Sequence, residues 1–310
     1  MRKIFGILAV VLLACALPGL ALAAKMQVAV GVAPVASFAK KIGGELVQTT
    51  LLVPAGADAH TYEPKPSQMR ALSGAALYLS CGLEFEEAWE GRLKSANPKL
   101  VFAHLDAGLK KLPMPEGHEH HDHGHAAAAA HGHDHDHKAA AAHEDHDEMD
   151  PHVWVSPAQV RQMSAAIAAA FSKADPAHAS VYAANLAAFQ KEIDALDAQI
   201  KALFAGVPAE KRGFLVFHPA WGYFAQDYGL TQTSIEFEGK EPSPKRLAAI
   251  VSQAKAKGAR AIFVQPQMSQ RTAGTIAKAV GAKLVVADPL AEDWAANLLK
   301  VAKGFREALQ

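Results

Sequence analysis

The sequence predicts an α/β protein of two lobes, each a mainly parallel sheet flanked by helices, joined by one long rigid connector helix. Three observations predict it. Short apolar strands alternate with helical stretches over residues 26–105. The same alternation resumes after Pro208. Between them, Phe189, Ile193, Leu196, Ile200 and Leu203 step by 4, 3, 4 and 3, the spacing of an amphipathic helix. Strands alternating with helices imply parallel sheets covered on both faces.

Each element follows from local signals. Residues 26–33 read as a strand. A helix over 35–42 stops at Gly43-Gly44, a C-terminal signal. The β-branched run 47–53 is a strand closed by Pro54, and 66–72 a short helix. A strand over 75–80, a helix over 85–93 and a strand over 100–105 follow. Cys81 ends an apolar run and reads as a buried small hydrophobe. Ser156-Pro157 opens a helix, with Ser as N-cap and Pro in the first turn, that runs to about residue 174. Asp175-Pro176 interrupts it, and the connector covers 177–205, roughly 40 Å at 1.5 Å per residue. Strands at 214–217, 230–235, 261–265 and 283–287 then alternate with helices at 220–228, 243–257, 272–280 and 293–309. The expected domains are 24–155 for the first lobe, 156–207 for the helical connector and 208–310 for the second lobe.

The N-terminus has the form of an export signal. Arg2 and Lys3 precede an apolar run over 4–17, which is shorter than the ~20 residues of a membrane span. Pro18-Gly19 breaks it, and Ala21-Leu22-Ala23 offers small residues for cleavage after 23. The expected location is the periplasm, with lipid anchoring at Cys15 as the alternative. Of the two cysteines only Cys81 would then remain, so no intramolecular disulfide is expected. The 310 residues carry 31 basic and 31 acidic side chains, a balance that gives no electrostatic case for nucleic acid as partner.

Histidine is the compositional outlier: the chain has 16. Eleven crowd into one acidic, Ala-rich stretch, at His118, His120, His121, His123, His125, His131, His133, His135, His137, His143 and His146. Segment 116–150 has no aromatic or β-branched residue, so a disordered surface loop is expected there. Its His-x-His runs can each wrap a divalent ion, more weakly than a preorganised site because binding must first order the chain.

Outside that stretch, His60 follows the strand over 47–53, His218 the strand over 214–217, and Asp288 the strand over 283–287. His152 sits just before a helix. Open parallel sheets bind ligands beyond the carboxyl ends of their strands. Three imidazoles and a carboxylate suit tetrahedral Zn2+. Position alone leaves other readings open: a histidine at a strand end is as readily a hydrogen-bonded structural residue, and Asp before Pro commonly opens a turn. Trp154, Trp221, Tyr223 and Phe224 flank these positions, as core packing or as a dry wall around a site.

Four strings narrow this choice: residues 54–64 (PAGADAHTYEP), 150–156 (DPHVWVS), 217–224 (FHPAWGYF) and 287–290 (ADPL). With residues 238–245 (EGKEPSPK), they resemble those of the zinc-type solute-binding proteins of ABC importers, the ZnuA-like family, over essentially the whole chain beyond residue 23. The resemblance implies two α/β lobes bridged by a helix, with Zn2+ bound between them as transported cargo. It implies His60, His152 and His218 as ligands and Asp288 as the fourth. Water, Asp58, Glu63 or Glu241 are alternatives at that position. Ala59 precedes His60, so no acidic neighbour is expected for that histidine. Relatives carrying manganese or iron usually have a carboxylate where His218 stands, and imidazole favours zinc. The implied partners are a membrane permease with its ATPase, and the chain is expected to act as a monomer. The rival classes are a manganese or iron paralogue, a secreted zinc hydrolase, and a storage or adhesion protein. No His-Glu-x-x-His segment supports the hydrolase.

Overall fold

The computed structural model describes residues 24–114, 149–236, 243–256 and 258–309. Two four-stranded parallel sheets form its frame. The first contains β1 (Met26–Val30), β2 (Val47–Leu51), β3 (Leu77–Ser80) and β4 (Val101–His104), in the order β2-β1-β3-β4. Between them run α1 (Ala33–Gly43), α2 (Pro66–Ala71) and α3 (Glu84–Ala96). Next come α4 (Pro157–Ala174) and α5 (Ala179–Phe204). The second sheet contains β5 (Gly213–Val216), β6 (Thr231–Ser234), β7 (Ala261–Val264) and β8 (Lys283–Val286), in the order β6-β5-β7-β8. Its helices are α6 (Gly222–Tyr228), α7 (Pro244–Ala256), α8 (Gln270–Val280) and α9 (Trp294–Ala308).

The predicted elements are all present, with shifted ends. β1 stops at Val30 because α1 begins at Ala33, with Pro34 in its first turn. α1 ends at Gly43, and Gly44 takes φ +54°, the left-handed backbone that glycine adopts without a Cβ clash. β2 stops at Leu51, yet Leu52 and Val53 still donate to the carbonyls of Val30 and Gly31 at 3.0 Å each. Ser156 caps α4 as expected, its hydroxyl accepting from Gln159 N at 3.1 Å. The connector begins two residues late, since Pro176–His178 form a 3-10 turn in which Asp175 accepts from His178 and Tyr182. Leu203 is only half-buried, and Phe204 takes the core position beside it. Residues 149–150, expected within the loop over 116–150, are ordered instead: Met149 pairs with Pro113 in an antiparallel bridge, and Asp150 is buried. The eleven histidines of that stretch lie outside the described residues.

One apolar core joins the two sheets. Strand alternation divides the second sheet's side chains: Phe214, Val216 and Phe263 enter the core shared with the first lobe, whereas Leu215, Phe217, Ile262 and Val264 pack in a separate cluster with α7 and α8. α5 packs on α1 and α4 on one side and on α6 and α9 on the other. At the centre Phe38 of α1 meets Phe189 of α5 at 5.7 Å and Trp294 of α9 at 5.2 Å between ring centroids. Such pairs add about 0.5–1.5 kcal/mol beyond the area they bury. α4 covers the first sheet, touching β3 and β4.

Phe305 is fully buried and stacks on Phe214 at 4.2 Å. Phe305→Ala is expected to cost about 3–5 kcal/mol in denaturant unfolding. Val286→Ala, at a residue 54% exposed on an edge strand, should stay within about 0.5 kcal/mol.

Candidate metal site

His60, His152 and His218 are brought together, one ring nitrogen from each lying within 4.8 Å of the others. Among the described residues they are the only such group of metal-binding side chains. Their ring centroids form a nearly equilateral triangle, with sides of 4.9, 5.0 and 5.2 Å. His60 arrives on the loop after β2, where Asp58 accepts from His60 N at 2.9 Å and from Thr61 Oγ1 at 3.0 Å. His152 leads into the 3-10 turn Val153–Val155 ahead of α4. His218 stands two residues beyond β5. Side-chain exposure is 21% for His60 but only 4% for His152 and 6% for His218, so one ring faces the opening and two lie at the bottom.

Each imidazole has a carboxylate behind it. Nδ1 of His60 donates to Glu84 Oε2 at 3.1 Å, that of His152 to Asp150 Oδ1 at 2.8 Å, and that of His218 to Glu236 Oε2 at 2.7 Å. A hydrogen on Nδ1 leaves the lone pair on Nε2, and the carboxylate raises the basicity of that nitrogen. His218 Nε2 is buried with no hydrogen-bond partner among the described residues. His60 Nε2 and His152 Nε2 stand 3.3 Å apart. Two lone pairs at that distance repel unless a cation lies between them. Two nitrogens bound tetrahedrally at about 2.0–2.1 Å to one Zn2+ are separated by about 3.3–3.4 Å. The donor set therefore fits a divalent ion of zinc's size and coordination.

The expectation that His60 lacks an acidic neighbour is corrected here. Ala59 is apolar, but Glu84, at the start of α3, supplies the carboxylate across 24 residues of chain. Glu84 and Glu236 were missed in the sequence. Both occupy the positions where parallel sheets present ligands, just after β3 and just after β6, and that placement was the available signal.

Asp288 does not join the three histidines. Its Oδ1 accepts from Leu290 N at 2.9 Å and from Gln267 Nε2 at 3.2 Å. Asp58 lines the cleft with its carboxylate committed to the loop, Glu63 is exposed, and Glu241 lies outside the described residues. Trp154 and Leu290 add apolar walls, and the cavity beside His60 and His152 is about 20 Å3. A second cavity, of about 560 Å3, lies at the opposite end of the second sheet, near Gly213, Thr231 and Arg260. It contains none of the three histidines.

The two pairs titrate in opposite directions. Burial alone would lower the pKa of His60, but the hydrogen bond and charge of Glu84 outweigh it, and the ring is held above the usual imidazole value. Burial dominates at His152 and pushes it down to about 4 despite Asp150. His152 thus stays neutral through the range in which His60 takes a proton.

Comparison with known proteins extends these observations. The family described as "Zinc-uptake complex component A periplasmic" (ZnuA) matches residues 28–308. A crystal structure of ZnuA superposes with a TM-score of 0.80 at 36% identity, covering 93% of this chain and all of that one. A ZnuA deletion mutant with zinc bound gives 0.79 at 36% identity, covering 92% of this chain and 98% of that one. The zinc-binding protein AdcA of Streptococcus pyogenes is 31% identical over 269 residues, 86% of this chain, which spans 50% of the length of AdcA.

A proton on His60 excludes a metal from Nε2, so metal affinity should begin to fall above pH 6.5 as pH drops, with no competition from His152 until about pH 4. Glu84→Gln removes the interaction that raises His60. Competition titrations across pH should show its acid limb at lower pH, together with weaker binding at pH 8 by about 10–100-fold.

Proposed function

Because the chain belongs to the zinc-uptake complex component A (ZnuA) family, we propose that it captures Zn2+ outside the cytoplasmic membrane and delivers it to an ABC-type permease driven by an ATPase. The observation that carries this reading is the convergence of three carboxylate-backed Nε2 atoms, two of them at the spacing one tetrahedral ion imposes. Zn2+ is the cargo. His60, His152 and His218 hold it, and Glu84, Asp150 and Glu236 fix the rings and offset the ion's charge. Asp288 or a water takes the fourth position; ligation by Asp288 Oδ1 would require it to give up Gln267. Three imidazoles with no carboxylate among them favour zinc over manganese or iron.

Hydrolysis is the reading the geometry disfavours. A cavity of about 20 Å3 admits an ion and a water but no organic substrate, whose pockets run to about 300–1,000 Å3. Residues 1–23 act in this account as the export signal that leads the chain to the periplasm, with lipid attachment at Cys15 as the variant route. No helix of the described residues is long and apolar enough to cross a membrane. The protein works as a monomer. The histidines over 118–146 gather further ions at lower affinity and raise the local zinc concentration near the cleft.

His218→Ala should abolish tight zinc binding in calorimetry, and wild-type affinity would remove His218 from the ligand set. Deletion of 116–148 should lower the number of ions bound while one tight site persists. Loss of that last site would refute the separation of cleft and loop.

A further inference from the structure

We propose that Tyr223 is a positioning residue for the metal site, its hydroxyl holding Asp150 and, through Asp150, the ring of His152. The inference rests on the zinc-site reading above and deepens it. Tyr223 belongs to α6 in the second lobe and is buried. Its hydroxyl accepts from Leu112 N at 3.0 Å and donates to Asp150 O at 2.7 Å. Leu112 and Asp150 are themselves joined, Asp150 N donating to Leu112 O at 2.8 Å, beside the Pro113–Met149 bridge. One phenol thus ties together the two chain ends that flank residues 115–148. Burial pushes the Tyr223 hydroxyl up to about 12, so it remains a donor at any working pH.

The carboxylate of Asp150 faces the site from this clamped backbone. Its Oδ1 accepts from both His152 N at 2.9 Å and His152 Nδ1 at 2.8 Å. The same helix makes room for it: a Cβ on Gly222 would come within 2.9 Å of Asp150 Oδ2. His218 lies four residues before Gly222. The short stretch 218–223 therefore supplies one ligand nitrogen directly and holds a second, on the opposite lobe, at one remove. The alternative is that the hydroxyl serves only to satisfy Leu112 N and to stabilise the fold. The two accounts differ in whether the metal senses its loss.

The test uses the full chain after removal of the leader. Tyr223→Phe is expected to weaken zinc binding by about 10–100-fold in chelator competition and to alter the Co2+ d–d absorption of the site. Paired with Asp150→Asn, it should add less than its separate effect, because the group it positions no longer holds His152. Tyr228→Phe, which loses a bond to Asp197 away from the site, should lower Tm and leave zinc affinity unchanged. Unchanged affinity and Co2+ spectrum in Tyr223→Phe, full additivity with Asp150→Asn, or an equal affinity loss in Tyr228→Phe would each overturn the proposal. Should Tyr223→Phe fail to fold, 3-fluorotyrosine at position 223, whose hydroxyl is a stronger donor to Asp150 O, should shift the Co2+ absorption, and an unchanged spectrum overturns the proposal. His218→Ala separates the two levels: if it binds as wild type, the zinc-site reading fails, whereas its loss alongside an unaffected Tyr223→Phe defeats the positioning role alone.

Discussion

Everything about the cleft depends on keeping three imidazoles oriented and close together before any ion arrives. Neutral rings without partners would rotate to hydrogen-bond the protein or water. The carboxylates of Glu84, Asp150 and Glu236 prevent this by capturing each Nδ1 hydrogen, which leaves each Nε2 turned toward a common point. The arrangement has a cost, since His218 Nε2 is buried without a partner among the described residues. An unsatisfied buried polar atom costs about 1–3 kcal/mol, and an ion that satisfies it recovers that energy on binding.

That preorganisation needs a frame that does not flex. The three histidines come from loops far apart in the chain, and α5 with the aromatic contacts of Phe38, Phe189 and Trp294 fuses the lobes into one core. Buried indole donors reinforce the seam. Trp154 Nε1 donates to Pro289 O at 2.8 Å, and Trp294 Nε1 donates to Trp154 O at 2.7 Å. Separating the lobes would break both of these buried bonds, and His60 is the most exposed of the three rings.

The sequence carried most of the frame, because parallel α/β architecture is written in local signals: apolar runs, Gly44 after α1, the Ser156 cap and the period of α5. It carried His60 and His218 through their places after strands, His152 through its place before a helix, and all three through the surrounding strings. The carboxylates behind them were less accessible. Asp150 lies two residues from its ring, but Glu84 and Glu236 lie 24 and 18 residues from theirs, and no one-dimensional period links them. The hydrogen bonds that Gln267 and Leu290 N make to Asp288 Oδ1 were equally hidden in its place beside β8.

The indoles at the seam have an experimental consequence. Trp154 lies 5.4 Å from His152 between ring centroids, and both Trp154 and Trp294 are buried. The molecule thus contains its own fluorophores at the junction that metal loading would perturb. Emission from these native side chains can follow cargo capture in real time without an attached dye.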